Sequence, residues 1–285
     1  MTSCHRLIFK TVWAIAMKKF IWLFCISVVV LLAQIENTHA ATQETSNSAA
    51  ILKAAEQGDA RAQVLAGVMY HSGKDVQKDY AQAAQWFQKA ASQGNPDAQF
   101  FLGMMYRKGE GVLQDNSKAL QWYKRAADQG HDEAQFNLGA IYDSGQIVPK
   151  DHTNAALWFQ KSAVQGNASA QFNLGNLYYN GDGVSKDYIK AAQWYEKAAV
   201  QGVASAQYNL GGMYEMGLGV PKDQRKAGLW YLKATEQGHA KAQYRLGMLA
   251  LSLKMPSENA CWWLAGAADQ GVREALDAYN KHCAK

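Results

Sequence analysis

The sequence repeats itself every 36 residues from about residue 60 onwards. Six glutamines keep this spacing without exception, and five tryptophans keep the same step before a sixth follows after 33 residues. The glutamines are Gln63, Gln99, Gln135, Gln171, Gln207 and Gln243, and the tryptophans are Trp86, Trp122, Trp158, Trp194, Trp230 and Trp263. Self-similarity at this period is the signature of stacked supersecondary units, because one unit alone cannot bury its apolar face. The chain is therefore predicted to form a solenoid.

Each repeat has the pattern of two helices. In the first copy the constant positions of residues 60–72 share one helical arc, and residues 80–93 carry a second apolar stripe beside water-facing glutamines. Glycines follow both helices, where a left-handed cap favours them, and Asp79 precedes the second helix as a natural N-cap. Gly67 lies inside the first helix and is predicted to permit close contact between helix backbones. The fold class is all-α, an α/α superhelical solenoid of about six 36-residue helix-turn-helix repeats with half-repeat caps.

The N-terminus carries the pattern of a secretory signal. A 14-residue apolar run, Phe20–Ala33, follows two lysines, and small residues come at its exit near Ala40. The run is shorter than the ~20 residues of a membrane-spanning helix. Translation starts at Met1 or at Met17, since either choice leaves a complete signal. We expect a periplasmic or secreted protein with no stable membrane span after signal removal, and an uncleaved N-terminal anchor is the alternative.

Removal of residues 1–40 lowers the formal net charge from +5 to +2, so most of the apparent basicity belongs to the signal. No cluster of lysine and arginine remains that would attract nucleic acid or anionic lipid. The expected organisation has four parts. They are a signal peptide at 1–40, an N-terminal segment with a capping helix at 41–59, the repeats at 60–273, and a C-terminal capping helix at 274–285.

Three segments carry a family resemblance. Ala134–Gly139 reads AQFNLG, Gly181–Tyr188 reads GDGVSKDY, and Ala191–Ala199 reads AAQWYEKAA. These motifs resemble the Sel-one-like repeat, the 36-residue relative of the tetratricopeptide repeat, and the resemblance covers about residues 60–273. It implies a right-handed superhelix that works as a protein-binding adaptor. Exported bacterial members resemble factors of envelope regulation, polymer export and host contact. The sixth copy departs from the pattern, because Ser252–Glu258 replaces the Gly-x-Gly-Val loop.

Comparison of the copies separates scaffold positions from candidate site positions. The arc of the first helix opposite the constant positions lines the concave groove in related helical repeats. One row of this arc is mostly aromatic, a second holds asparagine in three copies, and a third changes from copy to copy. Mixed charge beside aromatic rings suits an extended peptide or a helix. We predict partner binding by Arg107, Asp143, Asn173, Tyr179, Asn209 and Glu215.

Each row also has a purely structural explanation. The aromatic row is equally consistent with packing between neighbouring first helices. The asparagine row is consistent with hydrogen bonds that fix the repeat geometry, and the variable row with a solvated face.

Two cysteines, Cys261 and Cys283, remain after signal removal. Each lies 11 residues from Val272, the centre of the turn between the last two helices, so they stand at similar height on the two arms. Cysteine-rich members of the family resemble this arrangement, with bridges nearer the turn. We predict a disulfide that adds ~3 kcal/mol of stability in an oxidising compartment, with two separate buried thiols as the alternative. Thiol counting on the exported, denatured, unreduced protein distinguishes them.

The remaining chemistry-bearing residues do not form a catalytic or metal-binding pattern. The histidines of the repeats, His71, His131, His152 and His239, are scattered over different copies and do not pair with cysteine or carboxylates at metal-ligand spacing. Some relatives have been linked to penicillin binding or β-lactamase activity, but this sequence contains no Ser-x-x-Lys motif. We therefore expect an exported non-catalytic adaptor, with no cofactor, that binds a protein or peptide. The alternative is a binder of cell-wall or other glycan polymer, and a β-lactamase-like hydrolase is the weakest hypothesis.

Overall fold

The structure is a computed structural model that describes residues 47–284. These residues form fourteen helices, and no strand occurs among them. The helices are α1 (47–56), α2 (Ala60–Ser72), α3 (Tyr80–Ser92), α4 (Pro96–Lys108), α5 (Asn116–Asp128), α6 (Asp132–Ser144), α7 (His152–Val164), α8 (Ala168–Asn180), α9 (Tyr188–Val200), α10 (Ala204–Met216), α11 (Gln224–Glu236), α12 (Ala240–Ser252), α13 (Ser257–Asp269) and α14 (Arg273–His282). The signal expected at 1–40 and the start of the segment at 41–59 lie outside the described residues.

The chain divides into two compact units, the first ending at Ala90 and the second beginning at Ala91. In the first unit, Ala55 of α1 packs with Ala62 and Ala66 of α2. In the second unit each helix from α4 to α14 packs against the next one along the chain, so the core is a row of small clusters instead of one centre. This nearest-neighbour packing is the architecture of an α-solenoid, which confirms the predicted fold class.

The helix ends use the residues that the sequence indicated. Asp115, Asp151, Asp187 and Asp223 each accept a hydrogen bond from a backbone N–H in the first turn of the following second helix. These bonds stabilise the carboxylate form, so the pKa of Asp151 lies below its usual value, chiefly because the Asn154 N–H donates to it. The first helices of repeats one to five end at glycines in the left-handed conformation, such as Gly181 with φ 84°, whereas α12 ends at Leu253. Both cap predictions are confirmed.

The glycine inside the first helix makes room for an aromatic ring in the first five repeats and for Leu264 in the sixth. A Cβ atom on Gly103 would lie 2.7 Å from Cδ1 of Tyr123, and a Cβ on Gly175 would lie 2.7 Å from Cδ1 of Tyr195. Both tyrosines belong to the second helix of the same repeat and are almost fully buried. The predicted close helix contact is confirmed, and the ring is the group that requires it.

The repeated glutamines connect neighbouring repeats, and Gln99, Gln135, Gln171 and Gln207 each do so through two hydrogen bonds. Gln171 Nε2 donates to the Ala163 carbonyl at 3.0 Å, near the end of the preceding second helix. Its Oε1 accepts from Nε2 of Gln201 at 2.8 Å, and Gln201 stands at the end of the next second helix. The same pairing of side-chain amides recurs at Gln129–Gln99, Gln165–Gln135, Gln237–Gln207 and Gln270–Gln243. One buried side chain therefore bonds to the helices on both sides of it.

A cation covers the outer tryptophan in each of the first five repeats. Lys161 Nζ lies 4.0 Å from the centre of the Trp158 ring, and Arg125 lies 4.5 Å from that of Trp122. The equivalent pairs are Lys89–Trp86, Lys197–Trp194 and Lys233–Trp230. Each cation stands three residues after its tryptophan, so both side chains share one face of the helix. These cations act on an aromatic ring as well as on the helix dipole.

Two first helices begin at a histidine that acts as the cap. Nδ1 of His239 accepts from the Ala242 N–H at 3.2 Å, and the ring stacks on Tyr208 with 4.8 Å between ring centres. His131 caps α6 in the same way and stacks on Phe100. These histidines have the same structural role as Asn95 and Asn167, which cap α4 and α8 at the equivalent position.

The His239 cap predicts a pH-dependent stability. Burial lowers the pKa of His239, with a smaller contribution from Lys241, and protonated Nδ1 cannot accept the Ala242 N–H. The unfolded chain then binds the proton more tightly than the folded one, so this part of the stability is present above pH ~6.5 and is lost as the pH falls below it. Urea unfolding between pH 7.5 and 5 should show a smaller loss for His239→Asn than for the parent chain. Equal losses in both proteins would contradict the prediction.

The last two helices carry the cysteine pair. Cys261 on α13 is joined to Cys283, the residue after α14, and their Cα atoms lie 5.6 Å apart. That Cα separation is the usual one for a disulfide. The oxidation of this pair in the exported protein stays a prediction.

Candidate functional site

The first helices of the second unit present one face of side chains away from the second helices. We call it the first-helix face and define it by the fifth, sixth, ninth and twelfth positions of α4, α6, α8, α10 and α12. Most rings of its fifth position pack inward on the second helices, because Phe100, Phe136, Phe172 and Tyr208 lie 5.8–6.0 Å, centre to centre, from Tyr123, Phe159, Tyr195 and Tyr231. These contacts give the aromatic row a packing role, but against the second helix of the same repeat and not between neighbouring first helices as the structural explanation expected. The other positions remain available for contact.

A cavity of about 320 Å³ opens on this face between α8, α10 and α12. Its walls are mostly tyrosine and asparagine. They comprise Asn176, Tyr179, Asn180, Tyr195, Tyr208, Asn209, Gly212, Met216, Tyr231 and Arg245. Two of the predicted binding residues, Tyr179 and Asn209, are among them. The cavity exists because the ninth position of α10 is Gly212, which leaves the space above the second helix open.

The first half of the cavity is organised by Tyr195. Its hydroxyl donates to Oδ1 of Asn176 at 2.7 Å, and Nδ2 of Asn209 donates to the same oxygen at 3.4 Å. Burial raises the pKa of Tyr195, so the hydroxyl stays protonated and keeps donating throughout the physiological range. The two asparagine side chains are thereby held in fixed orientations beside Tyr179.

The second half is organised by a charged pair. The Tyr231 hydroxyl donates to Oε2 of Glu215 at 2.7 Å, and Arg245 donates to the same carboxylate oxygen at 2.9 Å. Burial, and then the bond to Glu215, raise the pKa of Tyr231. Because Glu215 neutralises Arg245, the cavity wall carries no net charge. The wall therefore suits a neutral polar or aromatic group better than an ion.

The six predicted residues do not form one cluster. Tyr179, Asn209 and Glu215 lie at or beside the cavity described above. Arg107 lines a separate opening of about 620 Å³ with residues of α6 and the α4–α5 loop. Oδ1 of Asp143 lies within hydrogen-bond distance of Nδ1 of His152, at 2.9 Å, whereas Asn173 lines neither opening. As binding residues all six stay predictions.

Sequence analysis missed four residues that shape the cavity: Asn176, Tyr195, Tyr231 and Arg245. The two tyrosines belong to the buried stripe of the second helix and are almost fully buried, yet their hydroxyls donate to Asn176 and Glu215 of the first-helix face. A signal existed, since the same position is phenylalanine at Phe87 and Phe159 and a hydroxyl requires a partner. Arg245 was equally visible as the next member of the asparagine row.

Within residues 47–284 no group of three histidine, cysteine, aspartate or glutamate side chains could hold a metal ion. None of the helices in this part of the chain has the length and the hydropathy needed to cross a bilayer.

The fold and its hydrogen-bonded face define a helical-repeat scaffold of the kind generally used for protein interactions. A family profile described as "Sel1 repeat" matches six consecutive segments, and the chain therefore belongs to the Sel1 repeat family. The matched segments are 60–95, 96–131, 132–167, 168–203, 204–239 and 240–272. This confirms the resemblance inferred from the motifs. Members of the family are typically non-catalytic scaffolds.

Two solved structures are similar over most of this chain. A protective antigen present in uropathogenic Escherichia coli strains, which displays an SLR fold, is 36% identical with a TM-score of 0.78. The alignment covers 81% of this chain and 50% of that one, so this chain spans half the length of the antigen. A Sel1 repeat protein from Oxalobacter formigenes is 33% identical with a TM-score of 0.64, over 74% of this chain and 86% of that one. No curated protein sequence matches the chain.

Proposed function

We propose that this protein is an exported, non-catalytic adaptor that binds a partner polypeptide on its first-helix face. The observation that carries the proposal is the cavity between α8, α10 and α12, whose polar groups are fixed by hydrogen bonds before any ligand arrives. Such preorganisation lowers the entropic cost of binding. The secretory pattern of the N-terminus supports export, and so does the similarity to a protective antigen.

The size and charge of the cavity restrict the kind of partner that can bind there. A space of about 320 Å³ accepts one or two side chains and not a folded domain, so the partner inserts a short segment and makes its other contacts along the face. The neutral Glu215–Arg245 pair favours an uncharged polar or aromatic side chain at this point. Tyr179 and Tyr208 supply aromatic surface, and Asn176 and Asn209 supply amide groups that complement a peptide bond.

Neutral sugars use similar aromatic and amide surfaces, so a glycan polymer of the cell wall is the second candidate. The two candidates differ in what is recovered. A polypeptide partner gives a discrete crosslinked species. If the ligand is instead a cell-wall polymer, the protein sediments together with the cell wall and no discrete crosslinked polypeptide forms.

The test uses a photoreactive amino acid at Tyr179 in the exporting cell. We expect one discrete polypeptide adduct that is lost or reduced about tenfold by Asn209→Ala, since a lost hydrogen bond at a buried contact costs ~1 kcal/mol or more. Asn173→Ala is the matched control, because Asn173 holds the same position one repeat earlier and lines neither this cavity nor the opening at Arg107. Equal yields from the two variants would contradict the proposal. Sedimentation of the purified protein with cell wall, without a discrete adduct, would favour the glycan polymer.

A further inference from the structure

In the regular repeats the loop between the two helices covers the start of the preceding second helix. A Cβ atom on Gly183 would collide with the backbone of His152 and Thr153, and one on Gly219 would collide with that of Tyr188 and Ile189. The glycine loop of one repeat thus lies directly on the first turn of the second helix before it. The valine that follows completes the cover, since Val184 packs on the core cluster of α7.

The sixth repeat lacks this cover. Only residues 253–256 join α12 to α13, whereas residues 217–223 join α10 to α11, and the Gly-x-Gly-Val segment is absent. The surface left uncovered is the start of α11. Gln224 and Arg225 hold the positions that Tyr188 and Ile189 hold one repeat earlier.

A groove of about 680 Å³ opens at this place, between α11, α12 and α13. Gln224 and Arg225 line it, together with leucines of α11 and α12 and two tryptophans of α13. A second substitution enlarges it. Tyr106, Tyr142, Tyr178 and Tyr214 hold one position of the first helix in successive repeats, and Tyr178 packs on the core clusters of two repeats, but repeat six has Ala250 there. The core leucine of the same helix, Leu246, is consequently half-buried, whereas Leu210 is 1% exposed.

The positions around the groove are apolar where other repeats are polar. Leu232 replaces Gln88, Lys124, Gln160 and Glu196 of the earlier repeats. Leu229 and Trp262 occupy a position that is glutamine at Gln85, Gln121 and Gln193, and they are 62% and 66% exposed. Exposed apolar residues that cluster around a groove are typical of a docking surface, whereas scattered single ones are not. The changes are therefore concentrated where the loop is missing.

The groove also contains one charged side chain, that of Arg225. Arg225 is the single charged side chain that lines the groove, and its position is uncharged at Ala81, Ser117, Thr153 and Ile189. Arg225 is exposed and forms no ion pair with any residue from 47 to 284. A carboxylate on the occupant would complement it.

We infer that the groove between α11, α12 and α13 is a second docking site, which receives a short segment of a partner protein with a large apolar side chain beside a carboxylate. The side chains of the occupant fill the space that the loop valine and the tyrosine ring fill in the other repeats, since the sixth repeat lacks both groups. The site is lined by outward positions of the second helices α11 and α13, and it is independent of the first-helix face. The protein then has two separate docking surfaces, the first-helix face and this groove.

The probe is a capped synthetic peptide with the sequence of residues 178–187, YYNGDGVSKD. It contains the tyrosine and the Gly-x-Gly-Val turn that cover the equivalent surface elsewhere in this chain, and it also supplies the carboxylates of Asp182 and Asp187. The full chain is labelled with 5-fluorotryptophan and titrated by fluorine NMR. We expect saturable shifts of Trp262 and Trp263, with a dissociation constant of about 1 mM or lower, as suits a ten-residue peptide. Resonances of tryptophans in the earlier repeats should not move.

Three variants define the site. Leu229→Gln with Leu232→Gln, which restores polar side chains found at these positions in other repeats, should weaken peptide binding at least fivefold. Leu157→Gln is the matched control, because Leu157 is the exposed residue at the Leu229 position of repeat three, where the loop is present, and it should leave binding unchanged. Replacing residues 253–256 by the seven residues 217–223 restores the loop and should abolish binding. Leu229 and Leu157 are exposed, Leu232 is half-buried, and residues 253–256 form the linker, so none of these changes replaces a fully buried side chain.

The inference is overturned if the peptide causes no saturable shift, or if the double variant binds it as well as the parent chain does. It is also overturned if the peptide does not bind and sedimentation shows that the parent chain forms a dimer which the double variant cannot form. In that case the occupant is a second copy of this chain. Arg225→Ser should weaken the complex and reduce its dependence on salt, and unchanged salt dependence would remove the carboxylate from the proposed ligand.

Discussion

Gly183→Ala should destabilise the protein by more than ~3 kcal/mol, whereas Gly202→Ala should cost about 1–2 kcal/mol. Both glycines have positive φ, +66° at Gly183 and +91° at Gly202, so both substitutions carry the penalty of a left-handed alanine. Only at Gly183 does the new Cβ also meet backbone atoms, those of His152 and Thr153. Nothing lies within 4 Å of the Cβ at Gly202. The difference between the two variants isolates the packing of the loop on the preceding repeat.

Urea unfolding followed by circular dichroism measures both free energies of unfolding. Hydrogen exchange adds a local readout, since Gly183→Ala should increase exchange at the start of α7 before it affects α11. Similar losses for the two variants would show that the loop is not held against α7. Gly219→Ala is an independent repetition one repeat later, because its Cβ would meet the backbone of Tyr188 and Ile189.

The 36-residue period alone predicts much of this fold. Positions that recur at this spacing must be equivalent, so helix ends, caps and the close contact at Gly67 follow from the sequence. The contacts between different positions of the repeat do not follow from it. Gly175 meets Tyr195, which lies 20 residues further on, and the sequence shows only that one residue is small and the other large.

The candidate site was accessible to sequence comparison only in part. Tyr179, Asn209 and Glu215 come together because they occupy nearby positions of neighbouring first helices, which periodicity predicts. Asp143 was not expected to pair with His152, because that contact depends on the path of an irregular loop. The role of the Tyr195 hydroxyl was missed for a different reason. A tyrosine whose ring belongs to a buried stripe can still donate from its hydroxyl to a side chain of another helix, here Asn176 on the first-helix face.

The repeated glutamines form hydrogen bonds between neighbouring repeats. Gln171 is the position at which to measure how much these bonds contribute to stability and to the coupling between repeats. Its side chain is 4% exposed and bonds to Ala163 on one side and to Gln201 on the other. Alanine at this position removes both bonds and leaves the Ala163 carbonyl without its side-chain donor. Each lost bond costs ~1 kcal/mol, while the Ala163 carbonyl still accepts from the Gly166 N–H and Gln201 still donates to the Gly166 carbonyl. We expect a total loss of about 2 kcal/mol.

The matched control is Gln193→Ala, an exposed glutamine on α9, which should change the stability by less than ~0.5 kcal/mol. A solenoid is stabilised by the interface between each repeat and the next, so Gln171→Ala weakens the coupling between repeats as well as the total. The unfolding transition should therefore broaden and its urea dependence should fall, because the repeats before and after Gln171 no longer unfold together. A variant that loses stability but keeps the parent slope would show that this glutamine stabilises its own repeat alone. In that case the rigidity of the stack would rest on apolar packing between the helices.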